Sequence, residues 1–510
     1  MPKKRLLSIV VGMAMASCGN GGASQRSTPP LEPPEYVEGP CEFSVPFGQG
    51  PNISCGVLTV LESRSRPNGS TVRLAVAVLA ARGGAKEPDP VVFLNGGPGA
   101  STTALLIQAF VPWFAAPVQG KRDIVLLDLR GTGLSQPSLA CPEVDEASSA
   151  GLPRDQISAA IEACADRLTR EGVDLSAYTS AASAADVRDL MAALGYSEWN
   201  LLGLSYGTRV ALTAMRDDPD GIRSAALDSP VPLQAELALD APRGLFEHGL
   251  GAVFSACRAD PACDAAFPDV EEKFYRLVAG LDAAPLTVAL PDHPQDPESP
   301  VRTRVIDGGG FLDLVQSAVF DFDRLRALPS VFARLSAGDP AALTEIVGEP
   351  FAPETMQQGA FFAVWCSEEA PFYQPELVDA AVAGLRPEVR SHARQSIELN
   401  LESCRRFGLG RPPAAEDRAV ESAIPTLLME GEFDARSSPS YSERTAATLA
   451  TSYSFVFRGL GHAVLFAPAS EIAALRTTCA MKLAGEFLED PGQRPTGECV
   501  SELPPAAFRE

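Results

Sequence analysis

Between residues 71 and 228, short apolar runs alternate with longer stretches of helical period. Thr71–Ala81, Val91–Leu94, Ile124–Leu127, Trp199–Leu202 and Ser224–Leu227 are rich in Val, Leu and Ile, without the strict in–out alternation of a half-exposed sheet. Such runs predict strands buried on both faces. Helical patterns occupy Arg154–Arg170, Ala184–Leu194 and Tyr206–Met215, and strand–helix alternation of this kind predicts a mostly parallel sheet flanked by helices. After Pro230 the pattern changes. Residues 232–418 read mainly as helices with proline-rich breaks, including an irregular loop over Pro291–Pro300. Strand-like runs return at Pro425–Met429 and Tyr453–Phe457, followed by a helical run from Ser470 to Leu488. The expected architecture is an α/β core over 39–231 and 419–510, interrupted after its sixth strand by a large helical cap over 232–418. The 510-residue length suits two domains, or one domain carrying a big insertion.

The first residues follow other rules. Lys3, Lys4 and Arg5 precede an apolar run, Leu6–Ala16, that is too short to span a bilayer and has the layout of a secretory signal, expected over 1–17. Met15-Ala16-Ser17-Cys18 is similar to a bacterial lipobox, with Met15 where Leu is usual. Cys18 is therefore a candidate lipid anchor, ordinary signal-peptidase cleavage nearby being the alternative. Gly, Ser and Pro are frequent from 19 to 38, so a flexible tether is expected over 18–38. The net charge of −23 disfavours nucleic acid or an anionic membrane surface as a partner. With Cys18 set aside, ten of the eleven cysteines remain, none in a Cys-x-x-Cys pair, and there are only four histidines. This favours disulfides formed in an oxidising compartment over a zinc site. Neighbour pairing is the economical expectation: 41 with 55, 141 with 164, 257 with 263, 366 with 404, 479 with 499. The expected location is the bacterial cell envelope, either periplasmic or anchored at the outer membrane through a lipid on Cys18. No metal or organic cofactor is implied.

The chemistry centres on Gly203-Leu204-Ser205-Tyr206-Gly207, which lies between a strand signal and a helix signal. There the glycines make room for a tight turn that lifts the serine hydroxyl above the sheet edge. A hydroxyl needs a base, and His462, in Gly459-Leu460-Gly461-His462 after a strand, is the candidate. His248, His293 and His392 read as surface or packing residues. The base needs an acid to orient it, and Asp434, just after Pro425–Met429, fits better than its neighbour Glu432. The order Ser, Asp, His is the one expected on this fold. Asn95-Gly96-Gly97-Pro98-Gly99 follows another strand and is the candidate oxyanion loop, with Gly97, or else Gly96, donating a backbone N–H alongside that of Tyr206.

On these motifs, together with Asp128-Leu129-Arg130-Gly131-Thr132-Gly133-Leu134-Ser135 and Gly431-Glu432-Phe433-Asp434, the chain resembles the proline iminopeptidase and tripeptidyl aminopeptidase group of α/β-hydrolases, from about Cys41 to the C-terminus. Within the Asp-x-Arg string, Arg130 reads as a buried ion-pair partner. Asn95 stands where proline iminopeptidases usually have His, and Ala463 replaces the second glycine of a Gly-His-Gly turn. The resemblance implies removal of residues or short peptides from a free N-terminus, which requires a carboxylate near the cap to hold the ammonium. Glu368 and Glu369, in Trp365-Cys366-Ser367-Glu368-Glu369, are the candidates. The substrate is expected to be a peptide or a small acyl compound. An esterase or lipase with the same three residues, and an inactive peptide-binding envelope protein, are the competing readings.

Overall fold

A computed structural model of the chain describes residues 34–103, 110, 112–149, 152, 154–291, 298–348, 355–407, 409–410, 412–466 and 477–509. Cys18, the expected signal segment and most of the expected tether lie outside the described residues, as does His293.

Nine strands form one sheet. In chain order they are β1 (Glu35–Gly39), β2 (Ile53–Leu61), β3 (Thr71–Leu79), β4 (Val91–Leu94), β5 (Ile124–Leu127), β6 (Trp199–Leu204), β7 (Ile222–Asp228) and, beyond a hairpin of β8 (Leu286–Pro291) and β9 (Val301–Ile306), β10 (Thr426–Gly431) and β11 (Ser452–Phe457). The spatial order is β1-β2-β3-β5-β4-β6-β7-β10-β11. From β5 to β11 every neighbouring pair is parallel, and β1 to β3 add antiparallel strands at one edge. Every residue of β4, β5 and β6 is buried. This is why their apolar runs do not alternate: helices cover both faces.

Two features depart from the sequence pattern. Glu35–Gly39 is a strand, paired with β2 from Glu35↔Thr59 to Gly39↔Cys55, although it falls within the expected tether. It lies at the sheet edge and is mostly exposed, so it lacks the apolar signature of a buried strand. With this extra strand, the insertion follows the seventh strand and not the sixth. Of the expected irregular loop at 291–300, residues 292–297 lie outside the described residues; Pro291 ends β8 and pairs with Val301, the first residue of β9. The helical run expected from Ser470 begins, within the described residues, at Cys479, capped by the Thr478 hydroxyl on Met481 N at 3.1 Å.

Three helices matter for the site: α1 (Ser180–Ala193), α2 (Tyr206–Asp217) and α3 (Gln358–Glu368). The inserted segment builds its own apolar cluster around Phe254, Phe274, Phe311 and Phe332. However, α3 belongs to the sheet's cluster, packing Ala360, Phe362 and Val364 with Leu139, Leu168 and Tyr178. The five neighbour disulfides are formed as expected: Cys41–Cys55, Cys141–Cys164, Cys257–Cys263, Cys366–Cys404 and Cys479–Cys499. Among the described residues no helix is long and apolar enough to cross a membrane, and no cluster of His, Cys, Asp or Glu could hold a metal ion.

Candidate active site

Ser205 sits between β6 and α2 at φ 52°, ψ −120°, a conformation costly for a residue with a Cβ. Its surroundings hold it there. Ser205 N donates to Asp228 O at 2.9 Å, and Thr208 N donates to Ser205 O at 2.9 Å. The Thr208 hydroxyl also donates to Ser205 O and accepts Val231 N at 2.8 Å. Gly207 is required by close approach, because a Cβ there would collide with the Leu94 carbonyl. The five-residue motif is thus wedged against the end of β4, where the glycine-rich loop begins.

In that loop, Gly96 is the residue nearest the nucleophile: a Cβ built on it would lie 3.6 Å from Ser205 Oγ. Its N–H is taken by Asn95 Oδ1 at 2.8 Å, while Asn95 Nδ2 donates to Ser101 O at 3.1 Å. Asn95 thereby closes the loop on itself. Gly97 follows at φ 110°, a region glycine alone enters without strain, and is exposed. Among the described residues no acceptor takes the Gly97 or the Tyr206 N–H. The loop is fixed from below by Asp128, fully buried, which accepts Thr102 N (2.6 Å), Thr103 N (2.9 Å), the Thr103 hydroxyl (2.6 Å) and Leu134 N (2.8 Å). Arg130 points elsewhere: it pairs with Asp186 through two bonds of 2.8 Å and donates to Glu62 O and Ala177 O. The Asp-x-Arg string is therefore a brace for neighbouring loops, with Arg130 buried in an ion pair.

His462 Nδ1 lies 2.8 Å from Asp434 Oδ2, and the ring is 15% exposed. Asp434 is buried, and its other bonds come from Arg436 N (2.8 Å), Ser437 N (3.0 Å) and the Ser437 hydroxyl (3.0 Å). Burial works against its charged form, but His462 and these donors outweigh it and hold Asp434 well below the usual carboxylate range. For His462, burial opposes protonation, while Asp434, with help from Asp228, raises the pKa above its ordinary 6.5. No hydrogen bond joins Ser205 Oγ to His462 among the described residues; they follow β6 and β11, strands of one sheet with β7 and β10 between them. The other acid considered, Glu432, turns away and accepts Gly459 N at 2.7 Å.

Two acids that were not among the sequence-derived candidates also belong here. Asp228, at the end of β7, accepts Val464 N (3.1 Å) and Leu465 N (2.7 Å), and Ser229 Oγ accepts Ala463 N (3.0 Å). These bonds hold Ala463 at φ 68°, the strained position where the related turn carries glycine. Burial pushes Asp228 up to about 7, against the Leu465 and Val464 N–H groups that favour its charge. Glu430, on β10, is buried near Asp434, and Ser442 donates to its Oε2 at 2.9 Å. Burial and the adjacent Asp434 charge raise Glu430 well above its ordinary pKa. Their signal was a carboxylate on an otherwise apolar strand.

Glu368 and Glu369 lie at the end of α3, apart from the sheet-edge acids. Glu368 is 1% exposed and caps α1, accepting Ser180 N and the Ser180 hydroxyl (2.7 Å); it also meets Arg209 Nε at 3.2 Å. Ser180 in turn bonds the Tyr206 hydroxyl at 3.0 Å, which links this cluster to the nucleophile turn. Glu369 pairs with Arg209 Nη1 at 2.7 Å and lines a narrow cavity with Leu237, Trp365, Tyr373 and Asp417. Burial, only partly offset by Arg209, pushes Glu369 up to about 7. Of the remaining histidines, His392 bonds Asp282 at 2.8 Å and His248 lines an open groove on the insertion.

Residues 89–304 match the family model described as alpha/beta hydrolase fold. Over 323 residues the chain is 26% identical to the serine protease Hip1 of Mycobacterium tuberculosis, spanning 59% of this chain and 58% of that protein. Over 193 residues it is 32% identical to a tripeptidyl aminopeptidase of Streptomyces lividans, 35% of either chain. A solved proline iminopeptidase of Mycobacterium smegmatis aligns with 82% of this chain and 96% of that one, at 16% identity and a TM-score of 0.38.

Proposed function

We propose that this chain, a serine hydrolase of the α/β-hydrolase family, is an exopeptidase that releases residues or short peptides from free N-termini through an acyl-enzyme on Ser205. The observation that carries the reading is the strained serine turn, at φ 52°, on the same sheet edge as a His462–Asp434 pair at 2.8 Å. Similarity to a named serine protease and a tripeptidyl aminopeptidase favours peptides over other acyl compounds. Ser205 Oγ attacks the scissile carbonyl carbon while its proton passes to His462 Nε2. The carbonyl oxygen becomes an oxyanion facing the Gly97 and Tyr206 N–H groups, each such donor being worth roughly 3–4 kcal/mol. Collapse breaks the C–N bond, and the imidazolium gives its proton to the leaving amine. Water, deprotonated by His462, then attacks the ester carbonyl and frees Ser205. Asp434 holds the His462 tautomer throughout and stabilises the imidazolium.

Glu368 and Glu369 line the same narrow cavity and are the candidates for the substrate's ammonium, although Glu368 already accepts from Ser180 and Glu369 from Arg209 and Leu237 N. The five disulfides favour an exported protein of the cell envelope. Lipidation at Cys18 would tether it, and metabolic labelling with radioactive palmitate should mark the wild type but not Cys18→Ala.

The deciding experiment compares free tripeptidyl p-nitroanilides with their N-acetylated forms and with short acyl esters. The free amides should turn over fastest, acetylation should remove most of that rate, and Ser205→Ala should abolish it. Fast ester turnover with no amide cleavage would overturn the peptidase reading. Absence of a fluorophosphonate adduct on Ser205 would overturn the enzyme reading altogether.

A further inference from the structure

We infer that Arg436 holds a carboxylate on the leaving-group side of the scissile bond, making the enzyme selective for peptides that present an anion there. The inference rests on the serine-peptidase reading above. Arg436 follows Asp434 by two residues, and its backbone N–H is fixed to Asp434 Oδ1 at 2.8 Å. Its guanidinium stacks on the Phe320 ring, 4.8 Å from the centroid. Phe320 comes from the insertion and meets the His462 ring edge to face, with centroids 5.8 Å apart and planes at 80°. The cation is thus one aromatic ring away from the imidazole that protonates the leaving amine.

Three observations point to a ligand. Arg436 is exposed and has no carboxylate partner among the described residues. Arg444, eight residues on, also stacks on an aromatic ring, that of Tyr441, but is paired with Asp240 at 3.3 Å. Stacking on Phe320 orients the guanidinium plane, a geometry that suits a planar carboxylate. The position also matters for a chain of net charge −23. Such a surface repels acidic substrates, and a local cation beside the base offsets that repulsion where the leaving segment passes. The two chemical sources of the carboxylate are the C-terminal group of a short peptide and an Asp or Glu side chain just after the scissile bond.

The test is a selectivity ratio, in which losses common to both substrates cancel. One arm compares kcat/KM for a tetrapeptide free acid and its C-terminal amide; the other compares longer amidated peptides with Asp or Asn after the scissile bond. The wild type should favour the anionic member of at least one pair by about three- to tenfold, a preference that fades in 1 M NaCl. The arm showing the preference identifies the source. Arg436→Ala should bring that ratio to about one, Arg436→Glu should invert it, and Arg436→Lys should keep part of it; thermal unfolding checks that each variant is folded. A wild-type ratio near one in both arms, or a ratio unchanged in folded Arg436→Ala, overturns the inference. If the wild type fails to cleave tripeptidyl p-nitroanilide, the exopeptidase reading fails, and this inference with it.

Discussion

The sheet edge and the inserted segment meet at the same cleft but are built on opposite terms. On the sheet side each candidate group is held by several bonds: Asp434 by Arg436 N, Ser437 and His462, and the Asn95–Gly97 loop by Asp128 beneath it. Two of the insertion's contacts with the site are of another kind. Phe320 rests on the His462 ring, and the strand-like stretch 355–357 bonds to the glycine-rich loop, with Ser101 N to Thr355 O and Gln357 N to Gly99 O both at 2.9 Å. A group fixed by many bonds tolerates little change, because the reacting geometry depends on it. A wall made of one ring and two backbone bonds can vary its side chains and alter which substrates enter. On the proposed reading, the reacting groups belong to the sheet side, and the insertion can alter which substrates enter without changing them.

The largest expected effect lies on the sheet side. Asp434→Asn should lower kcat about 10⁴-fold, since the amide no longer fixes the reactive tautomer of His462. It should also move the pH profile. His462 acts as a base only when neutral, and Asp434 holds its pKa above 6.5, so wild-type activity should fall as pH drops through a value above 6.5. In the Asn variant the acid limb of kcat/KM should move downward. A residual rate with an unmoved limb would mean that some other group orients His462.

Next in size is the ion pair bracing the loops below. Arg130 and Asp186 are each 1% exposed, so Arg130→Met leaves a buried carboxylate without its main partner. A loss of about 3–5 kcal/mol in urea unfolding is expected. Arg64 also reaches Asp186, at 2.6 Å, and could soften the loss. A loss below about 1 kcal/mol would show that Arg64 alone satisfies the acid.

What the sequence made legible follows the same division. Strands β4 and β5 were readable to the residue, because burial on both faces leaves an unbroken apolar run. The candidates Ser205, Asp434 and His462 were readable because turn glycines mark strand ends. Strand β1 was not: five residues at an exposed edge carry no such run. Nor was the closeness of Glu430 to Asp434, since nothing in a strand's pattern tells which buried acid lies near another. The insertion was legible only as helical. That α3 joins the sheet's core and that Phe320 reaches His462 depend on how helices cross, which local periodicity does not encode.

The insertion can be loosened without touching the reacting groups. Cys366–Cys404 ties α3 to the helix Pro387–Phe407 across 38 residues. Replacing both cysteines with Ser should cost about 2–4 kcal/mol through the freed unfolded chain. If selectivity resides in the insertion, the double variant should lose more in KM than in kcat. An equal loss in both would tie α3 to the chemistry, through Glu368, Ser180 and Tyr206.

The smallest effect is the one that tests the sheet side most finely. Burial and the adjacent Asp434 raise the pKa of Glu430 well above 4.5 in the folded protein, whereas in the unfolded chain it ionises near that ordinary value. Above that pH the unfolded state binds fewer protons than the native state. Stability should therefore fall with rising pH by up to about 1.4 kcal/mol per unit, until the folded-state pKa is passed. Glu430→Gln cannot titrate, so its stability relative to wild type should climb from pH 5 to pH 8; a flat difference would mean that Glu430 is already charged in the native protein. The amide keeps a neutral polar group beside Asp434, so the acid limb of activity should stay in place. Glu430→Leu removes that polar group, leaving Asp434 more basic and His462 easier to protonate. Its acid limb should shift upward, by a few tenths of a pH unit to about one unit.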